Sequence, residues 1–290
     1  MISTSIPSSE VIRFRGHELR LDRGPLVMGV LNVTPDSFSD GGRYLDPKAA
    51  VDHGIEMVEQ GADLIDVGAE SSRPGSDPVS PDEEIRRLIP VVRELCRRTS
   101  IPISVDTTKA VVAKRALDAG AATINDISAL RFDPDMGTVV SQEQAGLVLM
   151  HMQGTPKTMQ HAPHYGDVVR EVRQFLEERL RVAVAAGISQ DHIIVDPGIG
   201  FGKTPAHNLQ LLAHLHELLS LGLPVLVGVS RKAFIGETLE RPVADRLLGT
   251  AAAVAVAILH GATMVRAHDV KEMRDVAKMA HAITRQPNFS

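Results

Sequence analysis

Cysteine and aromatic residues are scarce in this chain of 290 residues, which has one cysteine, no tryptophan and 3% aromatic residues. The single cysteine, Cys96, excludes an intrachain disulfide and is typical of reducing compartments, so we expect a cytoplasmic protein. Too few aromatic rings are present to form a surface on which nucleic-acid bases stack. The formal net charge of −5 is also unlike that of nucleic-acid-binding proteins. We therefore expect no nucleic acid among its partners.

Long apolar segments are also lacking. The longest such run, GTAAAVAVAILHGA at 249–262, is rich in alanine and shorter than the roughly 20 residues that cross a bilayer. It predicts a buried, tightly packed helix. The first ten residues, MISTSIPSSE, have neither a basic start nor an apolar segment, so we expect no signal peptide and no membrane association.

From residue 25 onward, short apolar runs alternate with longer amphipathic segments, as alternating strands and helices do. The short runs are rich in valine and isoleucine and continuous, like strands buried on both faces. They are LVMGVLN (26–32), DLIDVG (63–68), IPISVD (101–106), ATINDI (122–127), LVLMH (147–151), IIVDPG (193–198), PVLVGVS (224–230) and TMVRAH (263–268). Eight such units predict an α/β fold, a (β/α)8 TIM barrel. An open doubly wound sheet is less well supported, because no G-x-G-x-x-G follows the first strand.

The segment VIRFRGHELRLDRG at 11–24 predicts a short β-hairpin that covers one end of the barrel. We assign residues 1–24 to an N-terminal extension with this hairpin. Residues 25–290 are assigned to a single barrel domain, because no change in composition marks a second one.

Hydrogen-bonding side chains stand at nearly every predicted strand end, where active sites of (β/α)8 barrels lie. Any one of them could be a turn or cap residue, but the set as a whole suits a flat ligand with many donors and acceptors. A cationic group beside them suits an anion such as phosphate. The strand-end residues are Asn32, Asp66, Asp106, Asn125 with Asp126, His151, Asp196, Ser230 with Arg231 and Lys232, and Arg266 with His268, and the cations are Arg73, Lys232, Arg266 and His268.

Other chemistries fit the sequence poorly. GIGFGKT at 198–204 is similar to a phosphate-binding P-loop, but Pro197 stands where that template requires glycine. No G-x-S-x-G supports a serine nucleophile. Lys232 could form a Schiff base, although nothing in the sequence indicates that it is desolvated.

Eight motifs, each at a strand end, resemble those of the dihydropteroate synthase family in the same order. The resemblance covers about residues 25 to 285, and the family fold is also a (β/α)8 barrel. The motifs are LNVTPDSFSDGG (31–42), DVGAESSRPG (66–75), VDTTKA (105–110), NDIS (125–128), LMHMQGTPKTMQ (149–160), DPGIGFGK (196–203), GVSRK (228–232) and VRAHD (265–269).

The resemblance implies a transferase of folate biosynthesis and a sulfonamide target. It would condense 7,8-dihydropterin-6-ylmethyl diphosphate with 4-aminobenzoate, giving 7,8-dihydropteroate and diphosphate with Mg²⁺ as cofactor. The substitution would be dissociative, with bond breaking ahead of bond making. Partners would be these small molecules and, in a homodimer through the helix at 246–262, a second copy of the chain.

The resemblance also implies residue roles, taken over position by position. Catalytic roles fall on Asp36, Arg73, Lys232, Arg266 and His268. Pterin-binding roles fall on Asp66, Asp106, Asn125, Ile127, Met150, Asp196, Phe201, Gly228, Lys232 and Arg266. Diphosphate-binding roles fall on Asn32, Ser72, Arg73, Arg266 and His268, with the metal at Asn32. Aminobenzoate-binding roles fall on Phe38, Ser72, Arg73, Pro74, Ser230 and Lys232.

Two alternatives stay open at this point, and one position departs from the family. A pterin-binding methyltransferase uses the same barrel, but it needs no diphosphate loop such as LNVTPDSFSDGG. A non-catalytic homologue could bind pterin without turnover. Ser72 stands where many family members have threonine, which keeps the hydroxyl and removes a methyl group.

Overall fold

A computed structural model describes residues 11–34, 46–72 and 75–286 of the chain. Strands β1 (Val11–Phe14) and β2 (His17–Arg20) pair antiparallel, with Phe14 opposite His17. Arg15 and Gly16 between them have φ of +46° and +78°, which suits a two-residue turn whose twist matches that of the strands. The hairpin prediction is therefore confirmed.

Eight parallel strands form the second sheet, in agreement with the predicted barrel. They are β3 (Leu26–Asn32), β4 (Leu64–Gly68), β5 (Ile103–Asp106), β6 (Thr123–Asp126), β7 (Gly146–Met150), β8 (Ile193–Asp196), β9 (Leu226–Gly228) and β10 (Met264–Ala267). The spatial order is β8-β7-β6-β5-β4-β3-β10-β9. A parallel bridge between Val195 and Val225 brings the two ends of this sheet together.

Helices follow the strands and cover the outside of the barrel. They are α1 (Pro47–Glu59), α2 (Pro81–Arg98), α3 (Ala110–Asp118), α4 (Met136–Gln142), α5 (Val168–Ala185), α6 (Pro205–Ala213), α7 (Ala233–Leu239), α8 (Leu247–Leu259) and α9 (Val270–Thr284). Short 3-10 turns lie at Gln190–His192, Leu215–Leu221 and Val243–Asp245. No helix among the described segments combines the length and apolarity that a membrane crossing needs.

Two apolar clusters hold these layers together. The larger one lies between the strands and the helices, where alternate strand residues such as Val67 and Val105 meet helix residues such as Leu88. The smaller one joins Ile12 and Phe14 of the hairpin to inward-facing residues such as Met28 at the amino ends of the strands. The hairpin thus closes the bottom of the barrel and leaves the carboxyl ends as the open mouth.

The alanine-rich helix is only partly as predicted. Helix α8 buries Thr250, Val254, Ala257 and Ile258, but Leu248 is 83% exposed and Val256 is 40% exposed. The expectation of a buried helix holds for one face only, because only that face of α8 packs against the barrel. Small residues keep that face close to its neighbours, while the other face remains apolar and uncovered.

Candidate active site

Neighbouring strands align their last residues at the mouth of the barrel. Asn32 pairs with Gly68, Gly68 with Asp106, and Asp106 with Asn125 across β3 to β6. On the other side Arg266 of β10 pairs with Gly228 of β9. The parallel register therefore brings residues from distant parts of the chain to one level.

Asp66 is the buried centre of a hydrogen-bond network. Its Oδ1 accepts from Ser104 Oγ at 2.7 Å, and its Oδ2 accepts from Asn125 Nδ2 at 3.0 Å and Arg266 Nε at 2.7 Å. Since three donors already occupy this carboxylate, Asp66 supports the floor of the site more than it offers acceptors to a ligand. Ser104 was not among the predicted residues, although it lies on the same strand face as Asp106, two positions before it.

Arg266 connects two carboxylates. Besides Asp66 it donates from Nη2 to Asp106 Oδ2 at 3.3 Å. Burial and the negative charge of Asp66 raise the pKa of Asp106 to about 8, although the charge of Arg266 opposes them. At neutral pH Asp106 therefore carries a proton, which a ligand donating N–H groups would displace.

Asn125 presents an open acceptor to the site. Its amide nitrogen donates to Asp66, but no described residue donates to its buried Oδ1. A buried amide oxygen without a donor costs free energy, so the site favours a ligand that supplies an N–H group there.

Asp196 and Lys232 lie on the opposite side of the mouth. Asp196 Oδ1 accepts from Gly198 N at 2.7 Å, and burial raises the pKa of Asp196 while the Lys232 charge opposes this. Lys232 donates to the Ile199 carbonyl, and its Nζ lies 4.4 Å from the Phe201 ring centroid. Burial lowers the pKa of Lys232 to about 8. The ammonium is thus held against an aromatic face, where it can donate to a ligand oxygen.

Apolar residues form the floor between these polar groups. Ile127, Met150 and Phe201 were predicted to line the pocket, and they pack in one cluster with Met152 and Met159. The two additional methionines come from the MHMQGTPKTMQ segment. The spacing of Met152 two positions after Met150 was a signal for its role, whereas no such pattern marked Met159. A flat ring can therefore lie on a soft, polarizable surface while its edge meets the carboxylates and amide.

A second group of residues joins the loops after β9 and β10. Ser230 Oγ accepts from His268 N at 3.2 Å and lies 3.0 Å from His268 Nδ1. Arg231, with φ of +56°, forms a two-bond fork with Asp269 at 2.9 and 2.6 Å. Asp269 was not predicted as a site residue. These two pairs hold the loops together, close to the anion-binding side expected from the sequence.

Ser72 lines a small cavity at the mouth with Asp106, Ile127 and Pro156, so the hydroxyl of the second loop lies near the predicted pterin residues. Asn32 stands at the end of β3, where its Oδ1 lies 3.9 Å from the position that a Cβ on Gly68 would take. Four predicted residues, Asp36, Phe38, Arg73 and Pro74, lie outside the described residues.

Comparison with known proteins decides which family this site belongs to. The family described as pterin binding enzyme matches residues 28–268. Two dihydropteroate synthases, from Synechocystis and Bacillus subtilis, are 47% and 44% identical to the chain over 89% and 98% of its length, covering 90% and 97% of their own. The chain belongs to the dihydropteroate synthase family.

Solved structures agree with this family assignment. A Yersinia pestis dihydropteroate synthase in complex with a sulfonamide drug has a TM-score of 0.92 at 44% identity, covering 95% of this chain and 100% of its own. One from Xanthomonas albilineans, in complex with 7,8-dihydropteroate, has a TM-score of 0.86 at 45% identity, with 96% and 100% covered. Membership makes the protein a pterin-binding transferase of folate biosynthesis, and the methyltransferase alternative is not favoured.

Proposed function

We propose that this protein joins 7,8-dihydropterin-6-ylmethyl diphosphate to 4-aminobenzoate at the mouth of its barrel. The observation that carries the proposal is the arrangement of Asn125, Asp196 and Lys232. A buried amide oxygen to which no described residue donates, a carboxylate and an ammonium stand at the same end of the barrel, beside the apolar cluster. That pattern matches the N–H groups and carbonyl oxygen at the edge of a pterin ring.

The reaction breaks one bond and forms another. The C–O bond between the pterin methylene and the diphosphate breaks, and its electron pair leaves with the diphosphate oxygen. The amine nitrogen of 4-aminobenzoate then bonds to the methylene carbon and loses a proton to solvent. The arylamine is already unprotonated at neutral pH, so it needs positioning more than a general base.

The charges of the site suit bond breaking ahead of bond making. Asp66 and Asp106 lie at the proposed edge of the ring, and negative charge there stabilises a pterin that becomes cationic as diphosphate leaves. We assign the leaving diphosphate to Arg266 and His268, with Asn32 and Ser72 beside it and Arg73 from the second loop. Ser230 and Lys232, with Phe38, Pro74 and Asp36, would border the 4-aminobenzoate.

Mg²⁺ is proposed as the cofactor, with Asn32 as its protein ligand. Across the described segments, no three His, Cys, Asp or Glu side chains are placed to hold a metal ion. An amide oxygen such as that of Asn32 still suits Mg²⁺, which commonly keeps several waters and binds phosphate oxygens. When bound, the ion would neutralise charge on the departing diphosphate.

Two further features complete the proposal. The exposed apolar face of α8, with Leu248 and Val256, supports a homodimer through this helix. The lone cysteine supports a cytoplasmic location.

Product analysis tests the proposal. Purified protein is incubated with both substrates and Mg²⁺, and the products are separated and identified by mass spectrometry. We expect dihydropteroate, and no methyl transfer when a methylated reduced folate replaces the pterin diphosphate. Methyl transfer without dihydropteroate would support the methyltransferase alternative, and binding without either product a non-catalytic homologue.

Pterin binding is expected to exchange a proton with the buffer, in opposite directions at pH 7 and pH 9. With pKa values of about 8, Asp106 is mainly protonated at pH 7 and Lys232 is mainly neutral at pH 9. A bound ring that donates to Asp106 and accepts from Lys232 favours the charged form of both. Binding should therefore release a proton at pH 7 and take one up at pH 9.

Calorimetry in buffers of different ionisation enthalpy measures this exchange, with a dihydropterin that lacks the diphosphate. Asp106→Asn should abolish the release at pH 7, and Lys232→Met should abolish the uptake at pH 9. A binding enthalpy that is independent of the buffer at both pH values would contradict the assignment of these two residues to the pterin.

A further inference from the structure

Lys203 is a buried lysine that the proposed reaction does not use. It is 3% exposed, and its Nζ donates to the carbonyls of Gly198 at 2.9 Å and Phe201 at 3.0 Å. The third contact of Nζ is His151 Nδ1 at 2.9 Å. An ammonium has three donors, and here each of them has one acceptor.

With the proton on Nε2, His151 is the acceptor in this pair. Burial, together with the nearby Lys203 charge, lowers the pKa of His151 well below its usual value, so the ring is neutral at pH 7. Burial lowers the pKa of Lys203 as well, and the charge of Asp196 opposes this effect. The Nδ1 of His151 can accept from Lys203 only when the proton is on Nε2. The ring also packs edge-on against Phe175, with centroids 4.8 Å apart. The imidazole is thus held in place as the hydrogen-bond acceptor for Lys203 Nζ.

The turn that Lys203 holds has an unusual backbone. Gly198, Gly200 and Gly202 have φ of +65°, +82° and +62°, a region that favours glycine. A Cβ on Gly198 would lie 1.9 Å from the carbonyl oxygen of His151. The turn 198–203 therefore lies directly against the strand end at 151. The hydrogen bonds of Lys203 hold the turn in this conformation.

Three proposed pterin residues depend on this turn. Asp196 precedes it and accepts from Gly198 N, and Phe201 lies within it. The carbonyl of Ile199 accepts from Lys232. The two carbonyls bound by Lys203 belong to the residues on either side of this contact, so the ammonium sets where the turn places all three groups. Its charge also counteracts the effect of burial on the pKa of Asp196.

We propose that Lys203 is a positioning residue for pterin binding, whose Nζ, bound to His151 and to the carbonyls of Gly198 and Phe201, fixes the 198–203 turn under the ring. The inference rests on the proposed function, because it deepens the assignment of the pterin site. Lys203 contacts neither substrate in this arrangement, and it acts through Asp196, Phe201 and Lys232.

The test compares Lys203→Met with a matched variant at the other end of the barrel. Arg274 is also a largely buried cation that binds backbone carbonyls, those of Gly61 at 2.9 Å and Pro25 at 3.3 Å, beside Asp63. Arg274→Met should lower the Tm and leave the Kd for dihydropterin unchanged. Lys203→Met should raise that Kd about 30-fold, the scale of one or two lost charge-assisted hydrogen bonds.

Steady-state kinetics separate positioning from a general loss of structure. In Lys203→Met, KM for the pterin diphosphate should rise strongly and KM for 4-aminobenzoate should rise much less, since Lys203 acts through three pterin residues, of which only Lys232 also borders the 4-aminobenzoate. Should the methionine variant not fold, Lys203→Gln keeps two donors without the charge and is expected to raise the dihydropterin Kd to a smaller extent.

Failure of the positioning role and failure of the proposed function would give different results. A folded Lys203→Met or Lys203→Gln protein with wild-type dihydropterin affinity would overturn the positioning role and leave the proposed function intact. Wild-type protein that binds no dihydropterin would overturn the proposed function itself, whatever the variants do.

Discussion

Replacement of Asp196 by asparagine is expected to weaken dihydropterin binding about 1,000-fold, which is about 4 kcal/mol. The carboxylate is proposed to accept two N–H groups of the ring, and hydrogen bonds to a charged partner contribute about 2 kcal/mol each. Asparagine can keep the bond from Gly198 N through its oxygen, but its NH₂ group faces the ring donors. Calorimetric titration with a dihydropterin lacking the diphosphate measures the change.

Asp126 supplies the matched control for this substitution. It also ends a strand, but its oxygens accept from Ser128 N, Ser128 Oγ and Leu130 N at 2.7 to 2.8 Å. Asp126→Asn should therefore reduce stability and leave dihydropterin affinity close to that of the wild type. Equal losses of affinity in the two variants would contradict a direct role for Asp196.

Replacement of Arg266 by methionine is expected to abolish turnover and to lower the free energy of unfolding by about 3 kcal/mol at pH 7. The guanidinium is the cation that Asp66 and Asp106 share, and without it fully buried Asp66 loses its charged partner. Chemical denaturation monitored by circular dichroism gives the change in stability.

The loss of stability should depend on pH in a defined direction. The pKa of Asp106 is raised in the folded protein, so the folded state binds more protons than the unfolded state between about pH 4 and pH 8. Stability from this group therefore falls as the pH rises through that window. Arg266 opposes this shift, so its removal raises the pKa of Asp106 further. Asp106 is protonated in both folded proteins below about pH 8, and the deficit of the variant should therefore grow as the pH rises above about 8.

An exposed arginine gives the comparison for Arg266. Arg86 pairs with Glu83 on the surface of α2, with 73% of its side chain exposed. Arg86→Met should leave stability and turnover nearly unchanged, because exposed ion pairs contribute little. A deficit for Arg266→Met no larger than that of Arg86→Met would contradict the role of the buried network.

The barrel could be predicted because the sequence marks its repeating strand–helix units in two ways. Apolar runs predict the strands, and a Gly-Ala pair, at 61–62, 120–121 and 261–262, stands just before three of them. The parallel register then places residues such as Asn32, Asp106 and Asn125 side by side, whatever lies between them in the chain. The exposed face of α8 was not predicted, because alanine suits a close-packed face without indicating how many faces are covered.

The hydrogen-bond and ion-pair partners of the site residues could not be predicted in the same way. Lys203 lies 52 residues from His151, and Arg231 lies 38 residues from Asp269. Nothing local in the sequence distinguishes such pairs from solvated charges. Asn125 and Asp126 are adjacent and equally polar, yet the first faces the site and the second caps its own loop, because successive residues of a strand point to opposite faces.

Diphosphate release by the purified protein tests the central claim most directly. The pterin diphosphate and Mg²⁺ are supplied with and without 4-aminobenzoate, and diphosphate and dihydropteroate are quantified together. The proposed reaction requires release that depends on the arylamine and equals dihydropteroate one for one. Tight binding of the pterin with no arylamine-dependent release would contradict it, and would leave the strand-end residues as a recognition site without the transfer chemistry.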